Sequence, residues 1–157
     1  MQITYLADHL HHIPILANWQ HEQFSYLAPA VSLEQRMEKL TASAQKQGMP
    51  LSFIAVDNDK LLGSASLLQK TITHPHLSPW LSAVYVTPAH RRQGIATALT
   101  QHVVQAAASM GVRQLYLFTP DKAAMYARLG WQVLEHGEHL GRRITIMSIT
   151  CSHLTGG

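Results

Sequence analysis

The chain has 157 residues and a net charge of +3; 46% are hydrophobic and only 13% charged, against roughly 25% charged in an average soluble protein. These values exclude a disordered chain and a coiled coil, and they let one hydrophobic core carry a single domain, expected over residues 1–151 with 152–157 as a tail. Cys151 alone allows no intramolecular disulfide, no stretch reaches the ~18 apolar residues of a membrane span, and no basic run marks a nucleic-acid arm.

Residues 1–5 lack a basic and apolar leader pattern, so a cytoplasmic protein is expected. Residues 3–7 read as a strand. Ile13, Leu16, Ala17 and Trp19 recur at helical spacing within 8–24, with Pro14 tolerable in a first turn. Ser32 opens a second helix through a Ser32-x-x-Gln35 capping box, with Leu33, Met37 and Leu40 on one face and Gly48 and Pro50 as its stop. Two strands, 51–56 and 61–68, flank the turn Asp57-Asn58-Asp59-Lys60. Residues 70–79 form a loop that carries His74 and His76.

The second half alternates strand and helix. Residues 80–87 are a strand ended by Pro88. The next helix, 94–110, places Ile95, Leu99, Val103, Ala106 and Met110 on one stripe, with Gly111 as a left-handed stop. Residues 112–118 read as a central strand, apolar on both faces from Leu115. Thr119 as N-cap and Pro120 at the first position then open a short helix that closes at Leu129-Gly130. Strands 131–134 and 142–149 finish the chain. The order βααββ then βαβαββ implies an α/β (α+β mixed) fold, a mixed sheet with helices on both faces.

Chemistry concentrates in Val84-Tyr85-Val86-Thr87-Pro88-Ala89-His90-Arg91-Arg92-Gln93-Gly94-Ile95-Ala96-Thr97. A strand enters a basic loop, and the loop enters a helix whose first turn holds small residues. Free N–H groups and the positive end of the helix dipole make such a turn an anion site, and Arg91 and Arg92 add charge. A solvated basic loop before an ordinary amphipathic helix is the alternative reading.

The second strand–helix unit ends Tyr126-Ala127-Arg128-Leu129-Gly130-Trp131. With both motifs in this order, residues 80–131 resemble the GCN5-related N-acetyltransferases (GNAT). The resemblance implies an acyl-coenzyme A N-acyltransferase fold, with a mostly antiparallel sheet and a parallel central pair. It implies acetyl-coenzyme A as cosubstrate, its pyrophosphate on Arg91, Arg92, Gln93, Gly94, Ala96 and Thr97 and its pantetheine arm along Val84 and Val86. Tyr126 would lie against the coenzyme as the acid that protonates the departing sulfur; its other reading is an aromatic packed between helix and sheet. The implied activity is acetyl transfer to a primary amine by direct attack in a ternary complex. A non-catalytic acetyl-coenzyme A-binding module of the same fold is the alternative, and a homodimer is left open.

Departures from the family pattern narrow the reading. Thr119 stands where many relatives have Asn. Trp80, Leu81 and Ser82 stand where some have a carboxylate base, which leaves His74, His76 or solvent for that role. Among the other histidines, His9-Leu10-His11-His12 and His136-x-x-His139 lack the spacing of a catalytic zinc site, so no metal is expected. Few acidic residues fall in the first half, which disfavours a polyamine or aminoglycoside acceptor. Residues 115–130 resemble the actin N-terminal acetyltransferases, and a peptide N-terminus, an amino acid and a small aromatic amine all stay open.

Overall fold

The computed structural model describes residues 1–71 and 73–152, so the expected tail lies almost wholly outside them. In chain order the elements are β1 (Gln2–Tyr5), α1 (Ile13–Phe24), α2 (Leu33–Ser43), β2 (Leu51–Asp57) and β3 (Lys60–Leu68). The second half supplies β4 (Trp80–Val86), α3 (Ile95–Ser109), β5 (Gln114–Thr119), α4 (Ala123–Arg128), β6 (Gln132–His139) and β7 (Arg142–Thr150). Seven strands join in the order β1-β2-β3-β4-β5-β7-β6. Every neighbouring pair is antiparallel except β4 and β5, as a crossover through α3 requires.

Strand alternation assigns the two helix layers. Leu51, Phe53 and Ala55 of β2 pack with Leu99, Val103 and Ala107 of α3, in a cluster that also takes in Tyr126 of α4. Ile54 and Val56 point the other way, against Ile13, Leu16 and Ala17 of α1 and Leu40 of α2. A strand buried on both faces has no polar alternation: residues 51–56 of β2 are all buried, and all but Ser52 are apolar. Among the described residues no helix is long and apolar enough to cross a membrane.

Several boundaries differ from the sequence reading. Residues 6–8 and 10–12 form two 3-10 turns, and α1 starts only at Ile13, because Pro14 has no N–H to give and fits a first turn alone. The Ser32–Gln35 capping box is present, but α2 stops at Ser43, short of Gly48. There the Ser43 hydroxyl meets Ser52 Oγ at 2.6 Å, which in turn meets Ser66 Oγ at 2.7 Å, so a buried hydroxyl chain ties the helix end to the sheet. The α3 stripe continues to Ala107 and Ala108, while Met110 is exposed. Thr119 caps no helix: α4 starts at Ala123, and the Thr119 hydroxyl instead accepts from Asp121 N (3.4 Å) and Lys122 N (2.9 Å), closing the turn before it. β6 runs on to His139 as an exposed edge strand.

Gly63 pairs with Val86, and a Cβ on it would lie 2.4 Å from the Tyr85 carbonyl oxygen. Backbone cannot yield as a flexible side chain does, so Gly63→Ala must push β3 from β4 where the basic loop begins. We expect it to lower stability by about 1–3 kcal/mol in urea unfolding, the usual range for overpacking. A midpoint equal to that of the parent would refute this account of the close approach.

Candidate active site

β4 and β5 meet at a single register pair, Trp80↔Tyr116, and separate from there toward Val86 and Thr119. On its other side β4 bulges: Ala83 and Val84 stand opposite the single residue Ala65, and Ala83 takes φ 53°, a strained value for a residue with a Cβ. The bulge re-aims the half of β4 that faces the gap. Val84 and Val86 thus lie on a strand segment with no β5 partner, both packed toward the α3 layer.

The strand ends in the basic turn. Thr87 Oγ1 and His90 Nδ1 are 2.8 Å apart, and Thr87 N donates to Leu62 O at 2.9 Å, which fixes the turn to β3. Arg91 folds back, its Nε donating to Val86 O at 2.9 Å and its guanidinium lying 5.9 Å from the centre of the Tyr85 ring. Arg92, Gln93 and Gly94 are exposed. Gly94 is the N-cap of α3 with φ 81°, a left-handed conformation that glycine alone adopts freely, and a Cβ there would meet nothing within 4 Å. Beyond it Ala96 and Thr97 form the first turn, whose N–H groups have no intrahelical acceptor. An exposed helix N-terminus with small residues and two guanidinium groups suits a diphosphate.

Tyr126 is buried, 7% exposed, and its ring meets Trp131 edge-on at 6.0 Å between centroids. No hydrogen bond joins its hydroxyl to another described residue. Burial, and then the negative charge of Asp121, push the phenol up to about 12, so it carries its proton throughout the neutral range.

Known proteins bear on this geometry. The acetyltransferase (GNAT) family model matches residues 13–131. The chain belongs to the GNAT acetyltransferase family. It is 33% identical over 84 residues to N-alpha-acetyltransferase 30 of Schizosaccharomyces pombe, a match spanning 51% of this chain and 56% of that relative. The chain thus spans about half the length of this curated relative. A ribosomal-protein-alanine N-acetyltransferase from Brucella melitensis superposes with a TM-score of 0.74 at 18% identity, covering 96% of this chain and 99% of the other. An aminoglycoside 6'-N-acetyltransferase complexed with coenzyme A gives 0.70 at 17% identity, covering 97% and 98%. Identities this low speak for the fold, and the mostly antiparallel sheet with one parallel pair is that of the GNAT family.

On the opposite face of this GNAT sheet, the connection after α1 touches the β6–β7 hairpin. The imidazole Nε2 of His139 lies 2.6 Å from Leu27 O, and the Arg142 guanidinium lies 4.6 Å from the centre of the Tyr26 ring. Trp19 of α1 stacks on Tyr85 of β4, ring centroids 5.7 Å apart. The wall this makes beside the β4–β5 gap is aromatic and cationic.

His74 and His76 come together, ring centroids 5.7 Å apart, and His74 lies 6.3 Å from Trp80 at the start of β4. Sequence reasoning missed their partner: Glu135 Oε1 on β6 stands 2.6 Å from His74 Nε2, and no local pattern announces a pair so distant in the chain. The other ring nitrogen of His74, Nδ1, is buried and has no hydrogen-bond partner. Asp121, also missed, bears on Tyr126 and on Tyr26, raising both phenols after burial has done so. Cys151 bonds through its N–H to Arg113 O, beside the start of β5 and so at the end away from the gap, and burial raises its thiol.

Proposed function

We propose that the protein transfers an acetyl group from acetyl-coenzyme A to a primary amine by direct attack in a ternary complex. The observation that carries the proposal is the gap between β4 and β5, with an exposed anion turn at its end and a protonated, buried phenol on α4. The residues fit the cosubstrate. Arg91, Arg92, Gln93, Gly94, Ala96 and Thr97 would hold its pyrophosphate, and Val84 and Val86 would line its pantetheine arm. When bound, acetyl-coenzyme A supplies the acyl group activated as a thioester.

The residues of the chain then have three tasks. The unpaired edge of β4 orients what enters the gap, since an extended ligand can add to it as a half-strand. Tyr126 holds a proton at its phenol oxygen for the departing sulfur. His74, oriented by Glu135, or its neighbour His76, accepts the proton of the acceptor ammonium. Direct attack is favoured over a covalent acyl-enzyme because Cys151 lies at the wrong end of β5 and its raised thiol resists ionisation.

An α-amine at a peptide N-terminus is the acceptor class supported best. It agrees with the name of the Schizosaccharomyces pombe relative, and a wall carrying Arg142 repels a polycation such as an aminoglycoside. Release of coenzyme thiol with a panel of short peptides, set against amino acids and aminoglycosides, tests this. Binding of acetyl-coenzyme A without turnover on any amine would assign the chain to the non-catalytic reading.

The base has its own test. Only the free amine is a nucleophile, so kcat/KM should rise with pH. The double variant His74→Ala/His76→Ala is expected to lose the lower-pH limb of that profile while acetyl-coenzyme A affinity stays constant. An unaltered profile would give the role to solvent.

A further inference from the structure

His9, His11 and His12 stand within four residues, yet their spacing has no helical or zinc-finger pattern. The fold supplies what the spacing hides. The two 3-10 turns before α1 bring the three rings to one place, with centroids 6.0 Å apart for His9–His11 and for His9–His12 and 4.1 Å for His11–His12. The turn between β2 and β3 adds a carboxylate. Asp57 pairs with Lys60 across the two residues Asn58 (φ 49°) and Asp59 (φ 65°), a type I′ hairpin that fixes the direction of Asp59.

Asp59 Oδ1 lies 3.2 Å from His9 Nδ1 and 3.3 Å from His12 Nε2, while Oδ2 lies 2.9 Å from His11 Nε2. One donor atom from each residue falls within 4.8 Å of all the others. Ligands around a tetrahedral zinc ion with ~2.0–2.1 Å bonds stand roughly 3.3 Å apart; the three contacts to Asp59 lie near that spacing, and the other donor separations stay within 4.8 Å.

A surface ion-pair cluster explains His9 and His11 but not His12. That residue is 7% exposed, and its Nε2 is buried with no hydrogen-bond partner, because its approach to Asp59 lacks the alignment for one. Gathering three imidazolium cations round one carboxylate would also set like charges against one another. A single divalent cation takes the lone pairs of three neutral imidazoles and one carboxylate oxygen, and it satisfies the buried nitrogen.

We propose that His9, His11, His12 and Asp59 bind one divalent transition-metal ion of the zinc class. Imidazole and carboxylate together select zinc and its first-row neighbours over magnesium or calcium, which take oxygen sets. Four protein donors leave no position for a substrate, so the site is structural. It clamps the segment before α1 to the β2–β3 turn, above the apolar cluster of Leu6, Ile13, Val56 and Leu61. It is independent of acetyl transfer.

The test uses the full chain stripped with a chelator and titrated with zinc chloride in a calorimeter. One equivalent should bind with Kd below about 10 µM, and the melting temperature should rise by about 5–10 °C at a hundredfold excess over Kd. Cobalt(II) should give the intense visible bands of a four-coordinate centre. Asp59→Asn keeps a residue tolerant of the left-handed turn and should weaken zinc at least tenfold, and His12→Ala should abolish the cobalt bands. Should His12→Ala fail to fold, Asp59→Asn still decides. Absence of saturable one-to-one binding, cobalt bands weak enough for a six-coordinate ion, or unchanged affinity in Asp59→Asn would each overturn the proposal, the last by assigning zinc to other surface histidines.

Discussion

Gly94→Glu is expected to reduce acetyl-coenzyme A affinity more than a hundredfold, to the point where calorimetry detects no binding. Two effects act together. The left-handed backbone at φ 81° is strained for any residue with a Cβ, at a cost of about 1–2 kcal/mol that distorts the start of α3. The larger effect is electrostatic: a carboxylate would sit on the N–H groups proposed to hold the pyrophosphate and repel it. Since nothing lies within 4 Å of a Cβ at this position, the remaining fold should persist, and circular dichroism of the variant should match the parent. Parent-like affinity in a folded variant would remove the anion turn from the proposed site.

Tyr126→Phe is expected to lower kcat by ten- to a hundredfold while leaving the affinity for acetyl-coenzyme A nearly unchanged. The ring stays, and with it the edge-on contact with Trp131, so packing should survive the loss of one hydroxyl. What disappears is the proton that the proposed mechanism delivers to the sulfur. Because the phenol is pushed up to about 12, its protonated form persists through the working range, and it should contribute no alkaline fall in rate below that pH. Steady-state kinetics against a good peptide acceptor check both parts. A variant with parental kcat would reduce Tyr126 to a packing residue.

The local segments that carry their own instructions were legible. The basic turn from Thr87 to Gly94 depends on a positive φ at Gly94 and on the first turn of α3, both encoded within a few residues. The same holds for the Ser32–Gln35 capping box and the turn at Asn58-Asp59. The apolar run of β2 and the strand–helix alternation fixed the layers, because burial on both faces leaves a one-dimensional trace. Where the reading slipped, a distant contact had overridden a local signal: α2 ends at Ser43, whose hydroxyl binds Ser52 on β2, and no rule of spacing contains that bond.

By itself, then, the sequence determined the two motifs, the order of elements and the basic turn before α3, since these rest on backbone preferences and periodicity over short spans. Only the tertiary structure decided which side chains meet. β4 and β5 share only the register pair Trp80↔Tyr116, and the bulge at Ala83 follows on β4. The pairing of His74 with Glu135 and the meeting of His9, His11 and His12 with Asp59 both join residues far apart in the chain. Charge and coordination act over a few ångströms of space, whatever the distance along the chain.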